Sequence, residues 1–156
     1  MSGIPAVDVA EALFQDLPEL SSLESATDVS WSLDALSQSF RNGCQILKIR
    51  VNGMSCGYCL FRNVSDETEI LNLVVSESRR RQGLGKTLLL GLIEKLQCSS
   101  SGKIWLEVRK SNTAAQKLYD TMGFKQVGLR KNYYRLTKTG IGNSGREDAL
   151  VLCKDL

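Results

Sequence analysis

An apolar run, ILNLVV at residues 70–75, precedes SRRRQGLGKT at residues 78–87, and a second apolar run, LLLGLI, follows at residues 88–93. Extended apolar residues, a turn rich in glycine and arginine, and a leucine-rich helical stretch make a strand–turn–helix unit. Such a unit restricts the chain to folds in which helices pack on a sheet. It also prepares an anion site, because the first amides of a helix lack intrahelical acceptors and carry the positive end of its dipole. Gly83 and Gly85 allow an anion close to the backbone, and Arg79, Arg80 and Arg81 add positive charge.

Two nucleotide-binding patterns can be tested against this turn. A P-loop, G-x-x-x-x-G-K-S/T, matches at Gly85, Lys86 and Thr87, but its first glycine falls on Arg80. The dinucleotide fingerprint G-x-G-x-x-G matches at Gly83 and Gly85, but its third glycine falls on Leu88. Each fails at a position its chemistry requires. Taken alone, the residues leave a phosphate cradle, which they favour, a nucleic-acid patch, or a solvated turn.

The remaining functional classes narrow quickly. The chain has 156 residues, one domain by length, and no histidine. A Ser-His-Asp triad, a histidine metal site and a histidine base are therefore excluded, leaving a carboxylate, Tyr, Lys or Cys to move protons. No apolar run is long enough to cross a bilayer, and the first residues lack the basic region of a secretory signal. Five irregularly spaced cysteines suit a reducing compartment, so a cytoplasmic location is expected. Residues 1–40 carry seven acids and no Lys or Arg, whereas residues 41–156 hold all 20 basic residues against 10 acids. Such halves could meet different partners, or simply be solvated surfaces.

Periodicity and turn signals give a coarse layout. A helix is expected over residues 7–17, ended near Pro18, and another over residues 33–40, capped by Ser32. Strands are expected over residues 45–51 and 56–62 with a tight turn at Asn52-Gly53, then over 68–75 after a turn at 63–67. A helix over 84–97 carries Leu88, Leu92 and Leu96 on one stripe. A strand over 103–109 places Ile104, Leu106 and Val108 on one face. A helix over 112–122, stopped by Gly123, and strands over 124–134 and 148–153 complete a mixed α/β (α+β) layered structure.

The series R-x-x-G-x-G (Arg80, Gly83, Gly85) after a strand resembles the acetyl-coenzyme A motif of the GNAT acetyltransferases. WLEVRKSNTAAQKLYDTMGF, residues 105–124, resembles the second half of that fold. RKNYY at 130–134 and GREDALVL at 145–152 are similar to the branch that acetylates the N-terminal alanine of a small-subunit ribosomal protein. The resemblance implies a single N-acetyltransferase domain over residues 1–156, with a mostly antiparallel central sheet flanked by helices. It implies acetyl-CoA as co-substrate, no metal, a ribosomal-protein N-terminus as acceptor, and no membrane or direct nucleic-acid partner. In it, the backbone of Leu73, Val74 and Val75 pairs with the pantetheine arm. The turn of Arg81, Gln82, Gly83, Leu84, Gly85 and Lys86 holds the pyrophosphate, and Asn112 touches the coenzyme. A strand splayed from its neighbour there admits the thioester.

By the same resemblance, Glu107 takes the proton of the attacking amine and Tyr119 gives one to the leaving thiolate. An α-ammonium with a pKa of about 7.7–8.0 needs such a base, and a thiolate with a pKa of about 8.5 benefits from such an acid. Asn112 and Tyr119 are seven residues apart, nearly two helical turns, so they share a face at a separation of about 10 Å. Glu69, at the start of the neighbouring strand, is the rival base. Other acceptors, such as different protein N-termini, lysines or small amines, and a non-catalytic RNA- or ribosome-binding module are the alternatives.

Three features stand apart. Cys56 and Cys59 have C-x-x-C spacing, but residues three apart in a strand face opposite sides, and no second pair completes a zinc shell; core cysteines are expected. Tyr133 and Tyr134 are expected as partial core or a wall of the peptide groove. The segment at residues 135–147, RLTKTGIGNSGRE, is longer than in typical relatives and would border the acceptor.

Overall fold

The computed structural model describes residues 3–24, 31–135 and 145–156. Among these residues seven strands form one sheet in the order β1-β2-β3-β4-β5-β7-β6. The strands are β1 (Val7–Glu11), β2 (Gln45–Val51), β3 (Met54–Val64), β4 (Glu67–Val75), β5 (Lys103–Arg109), β6 (Lys125–Arg135) and β7 (Arg146–Asp155). Four helices accompany them: α1 (Leu17–Ser22), α2 (Leu33–Arg41), α3 (Leu84–Gln97) and α4 (Thr113–Thr121). Only β4 and β5 run parallel, joined by the α3 crossover, and every other pair is antiparallel. The expected mixed, mostly antiparallel architecture is the one observed.

Local chemistry explains most boundaries. Asn52 (φ 51°) and Gly53 (φ 80°) form the tight turn between β2 and β3, both in the left-handed region that primed hairpin turns require. The Ser32 hydroxyl accepts the Ala35 amide at 3.1 Å and caps α2. The expected turn at residues 63–67 is tighter, because β3 runs on to Val64 and Ser65 takes the positive φ of 58°. Ile104, Leu106 and Val108 are at most 5% exposed and face α3, whose Leu88, Leu92 and Leu96 are buried against them. A second core lies on the opposite sheet face, where Leu17, Leu20 and Leu36 of α1 and α2 cover Ile46, Tyr58, Leu60 and Val74.

Two expectations are corrected. Residues 7–17 are not one helix: Val7–Glu11 is an edge strand paired with β2, followed by a 3₁₀ turn (Phe14–Asp16) and by α1, which holds Pro18 in its first turn. The decisive contact is remote in sequence. Val9 packs against Gly91 of α3 so closely that a Cβ there would stand 2.9 Å from Val9 Cγ1. Cys56 and Cys59 do not face opposite sides either; both lie in the core cluster under α3. A register shift between Ile49 and Arg50, opposite Gly57 and Ser55, turns the strand between them.

The end of α1 is tied to the sheet through a buried carboxylate. Glu24, 4% exposed, accepts hydrogen bonds from the Tyr58 hydroxyl (3.0 Å), the Asn72 carboxamide (2.9 Å) and the Trp31 amide (2.9 Å). Burial and this carboxylate raise the Tyr58 hydroxyl far above the ordinary tyrosine range.

Candidate active site

The sheet opens along one seam. β4 and β5 pair from Glu67↔Lys103 to Ile70↔Leu106 and no further, although β4 continues to Val75 and β5 to Arg109. Glu107 is the first residue of β5 beyond the parting. On the β4 side, the Val74 carbonyl is turned toward β3, only 2.4 Å from where a Cβ on Gly57 would stand. Because main-chain groups alternate along a strand, Leu73 and Val75 direct theirs into the seam. The Val75 carbonyl there accepts the Arg80 Nε at 3.3 Å. Of the three strand residues expected to line this site, Val74 contributes a buried side chain to the second core instead of an open backbone edge.

The turn below the seam has the geometry its glycines suggested. Arg81 (φ 60°) and Gly83 (φ 75°) are both left-handed, and α3 begins at Leu84 with no side chain capping it. The Leu84 side chain is buried, whereas Arg81, Gln82 and Lys86 are exposed around the helix start. A Cβ on Gly83 would meet nothing within 4 Å, so space lies open in front of the first amides. A Cβ on Gly85 would come within 3.2 Å of Leu118 Cδ2, so this glycine also lets α3 pack against α4. The Asn112 carboxamide accepts the Ala115 amide at 3.1 Å and caps α4, leaving its side chain at the surface.

Glu107 is surrounded by groups from β6 and β7. Arg130 Nε lies 2.5 Å from Glu107 Oε1. The charge of the same carboxylate is the main reason that the Tyr133 hydroxyl is held above the ordinary tyrosine range. β6 loses register with β7 between Arg130 and Tyr134, and Asn132 takes a φ of 52° while its amide donates to Asp148 Oδ1 at 2.9 Å. This bulge turns Tyr133 back over Glu107. The Tyr133 and Tyr134 rings meet edge to face, 5.0 Å apart, with Arg130 over the first and Arg109 over the second.

Glu147 locks the far end of this wall. It accepts bonds from Arg109 (3.0 Å), the Ser111 hydroxyl (3.0 Å) and the Ser111 amide (3.2 Å), while Arg109 also donates to the Arg135 carbonyl. Although burial opposes its charge, these donors hold the Glu147 carboxyl below its usual range. Burial, then Glu107, pushes the Tyr134 hydroxyl up to about 12.

Tyr119 belongs to the other face. It is 7% exposed within the α3–α4 core, edge to face with Phe124 at 5.5 Å. Burial holds its hydroxyl well above the ordinary range, with a contribution from Tyr134. The rival base, Glu69, is paired with Arg62 at 2.6 Å. Arg130 and Glu147 are residues of this region that sequence reasoning did not single out, although the RKNYY and GREDALVL motifs contained them; Tyr133, expected as partial core or a wall of the groove, is exposed beside Arg130. Most of the long 135–147 segment lies outside the described residues.

Residues 8–124 match the model of the acetyltransferase (GNAT) family. The chain belongs to the GNAT acetyltransferase family. A GNAT relative from Haemophilus ducreyi, a ribosomal protein bS18-alanine N-acetyltransferase, is 36% identical over 141 residues, covering 88% of this chain and 92% of its own. The crystal structure of the ribosomal-protein-S18-alanine N-acetyltransferase from Escherichia coli superposes with a TM-score of 0.84 at 30% identity. It covers 96% of this chain and 94% of that one. A more distant structure, YncA from Salmonella typhimurium determined with its cofactor acetyl-CoA, shares the fold at 18% identity and a TM-score of 0.75. That alignment covers 96% of this chain and 94% of the other.

Proposed function

We propose that this acetyltransferase moves the acetyl group of acetyl-CoA to the α-amine of an N-terminal alanine, and that its acceptor is ribosomal protein bS18. The observation that carries the reading is the parting of β4 from β5 at Ile70 and Leu106, which leaves Glu107 as the first side chain beyond the gap. The residues fit the coenzyme. The uncapped start of α3 and the left-handed turn at Arg81 and Gly83 suit a diphosphate, with Gln82, Leu84, Gly85 and Lys86 completing the loop. The unpaired edge at Leu73 and Val75 suits the amides of a pantetheine arm. Asn112 caps the start of α4, the helix that follows β5.

Bound acetyl-CoA supplies an activated acetyl thioester. Glu107 receives the proton of the acceptor ammonium, directly or through water, because only the neutral amine has the lone pair that forms the C–N bond. Tyr119 donates its hydroxyl proton to the sulfur as the C–S bond breaks. Burial suits Tyr119 to this, since a hydroxyl held above its usual range stays protonated throughout the neutral region. The wall of Tyr133 and Tyr134 borders the acceptor on the side of Glu107.

The identities of 30–36% with bS18-alanine N-acetyltransferases over most of the chain support alanine as the acceptor residue. No helix among the described residues is long and apolar enough to cross a membrane, and action on ribosomal proteins fits a cytoplasmic enzyme. Mass spectrometry after incubation with acetyl-CoA and purified ribosomal proteins tests the reading. Acetyl on the N-terminal alanine of bS18 is the expected product. Acetyl confined to lysines, or to a different N-terminus, would replace the acceptor assignment.

A further inference from the structure

The base proposed for the reaction already holds a cation. Arg130 Nε is 2.5 Å from Glu107 Oε1, with the Glu107 side chain 20% exposed and the Arg130 side chain 57% exposed. The carboxylate is therefore the more buried partner and the guanidinium the more exposed one. Among the described residues this is the one ion pair of Arg130, whereas Arg109 is bound to Glu147 and Arg62 to Glu69. The guanidinium lies 5.4 Å from the ring centroid of Tyr133. Arg130 thus lies in the position that an incoming ammonium must take to give Glu107 its proton.

We propose that Arg130 is a displaceable counter-ion that selects cationic amine acceptors by making them exchange with it at Glu107. The inference rests on the reading of Glu107 as base. Exchange of one cation for another conserves the charge around the carboxylate, so a protonated amine enters at little electrostatic cost. Water or an alcohol brings no charge, and breaking the ion pair for it is uncompensated. The same pair keeps Glu107 from activating water against the thioester between turnovers. That side reaction would form a C–O bond to acetate, break the C–S bond, pass the water proton to the carboxylate and release the free thiol.

Arg130 is a positioning residue in this account, and the Arg130→Gln and Arg130→Lys variants test it. In Arg130→Gln, KM for an alanine-initiated peptide should fall severalfold with kcat little changed, and acetyl-CoA hydrolysis without acceptor should rise. Arg130→Lys should restore both toward wild-type values, because it keeps the charge. Titration calorimetry should show tighter binding of the amine peptide to Arg130→Gln and unchanged binding of its Nα-acetylated form. A raised KM in Arg130→Gln, which would make Arg130 an acceptor contact, overturns the proposal, as does an unchanged hydrolysis rate. A wild-type protein that acetylates no alanine peptide defeats the acceptor assignment alone, and the hydrolysis comparison then decides the role of Arg130.

Discussion

Glu107 projects from β5 and Tyr119 belongs to α4, packed on the other face of the sheet, and the proposed reaction needs both at the seam between β4 and β5. Glu107→Gln preserves shape and hydrogen bonding but cannot take a proton. Its kcat at pH 7 should collapse, and raising the pH toward 9 should recover part of it, because the neutral fraction of an α-amine grows through its pKa of about 8. The wild type should gain less over the same interval, and steady-state assays across pH check both slopes. Full activity of Glu107→Gln at neutral pH would move the base to Glu69 or to a water chain. Tyr119→Phe removes the acid while keeping the ring against Phe124. A loss of roughly 10²–10⁴ in kcat with unchanged coenzyme affinity is expected, and near-normal turnover would assign that proton to solvent.

At the scale of elements, the turn before α3 is where sequence and geometry agree most closely. Gly83→Ala is a sharper probe than a bulky substitution. The methyl meets no atom within 4 Å, so the structural cost is that of a left-handed φ of 75°, about 1–2 kcal/mol. Acetyl-CoA affinity should fall well beyond that destabilisation, as titration calorimetry beside a denaturant series would show; unchanged affinity would remove the anion from this turn. This part was legible because a βα turn is local. Its residues, its glycines and its helix stripe lie within one stretch of chain, as do the boundaries of β2, α3 and β5. β1 was not legible, since a stretch with Val7, Val9 and Ala10 fits a helix until β2 pairs with it and Gly91 admits Val9. The surroundings of Glu107 were hidden for a related reason. RKNYY suggests a wall, but the placing of Arg130 on the carboxylate, with Tyr133 beside it, goes with a bulge that requires β7 as its partner.

At the scale of the whole molecule, all four tyrosines of the chain are held in the neutral form more firmly than in an unfolded polypeptide. Groups whose folded pKa is raised add stability that is complete below their unfolded pKa of about 10 and is lost as pH climbs through the folded values. For Tyr134 that value is about 12. Stability should therefore decline above pH 10, and tyrosinate absorbance should rise together with loss of the circular dichroism signal. Tyrosinate forming at the ordinary pH at Tyr58 or Tyr119 in a still-folded protein would contradict the buried placement of those two rings. The strand order carries a consequence for biosynthesis. β7 lies between β5 and β6, and β6 pairs with no other strand among the described residues. While the polypeptide is being translated, the turn before α3 and the β4 edge can assemble early, but the arm bearing Arg130 and Tyr133 stays unanchored until residues 146–155 leave the exit tunnel. A nascent chain would then possess the glycine turn and the open β4 edge before the arm of Arg130 and Tyr133 is fixed, and the sheet would be completed only with β7.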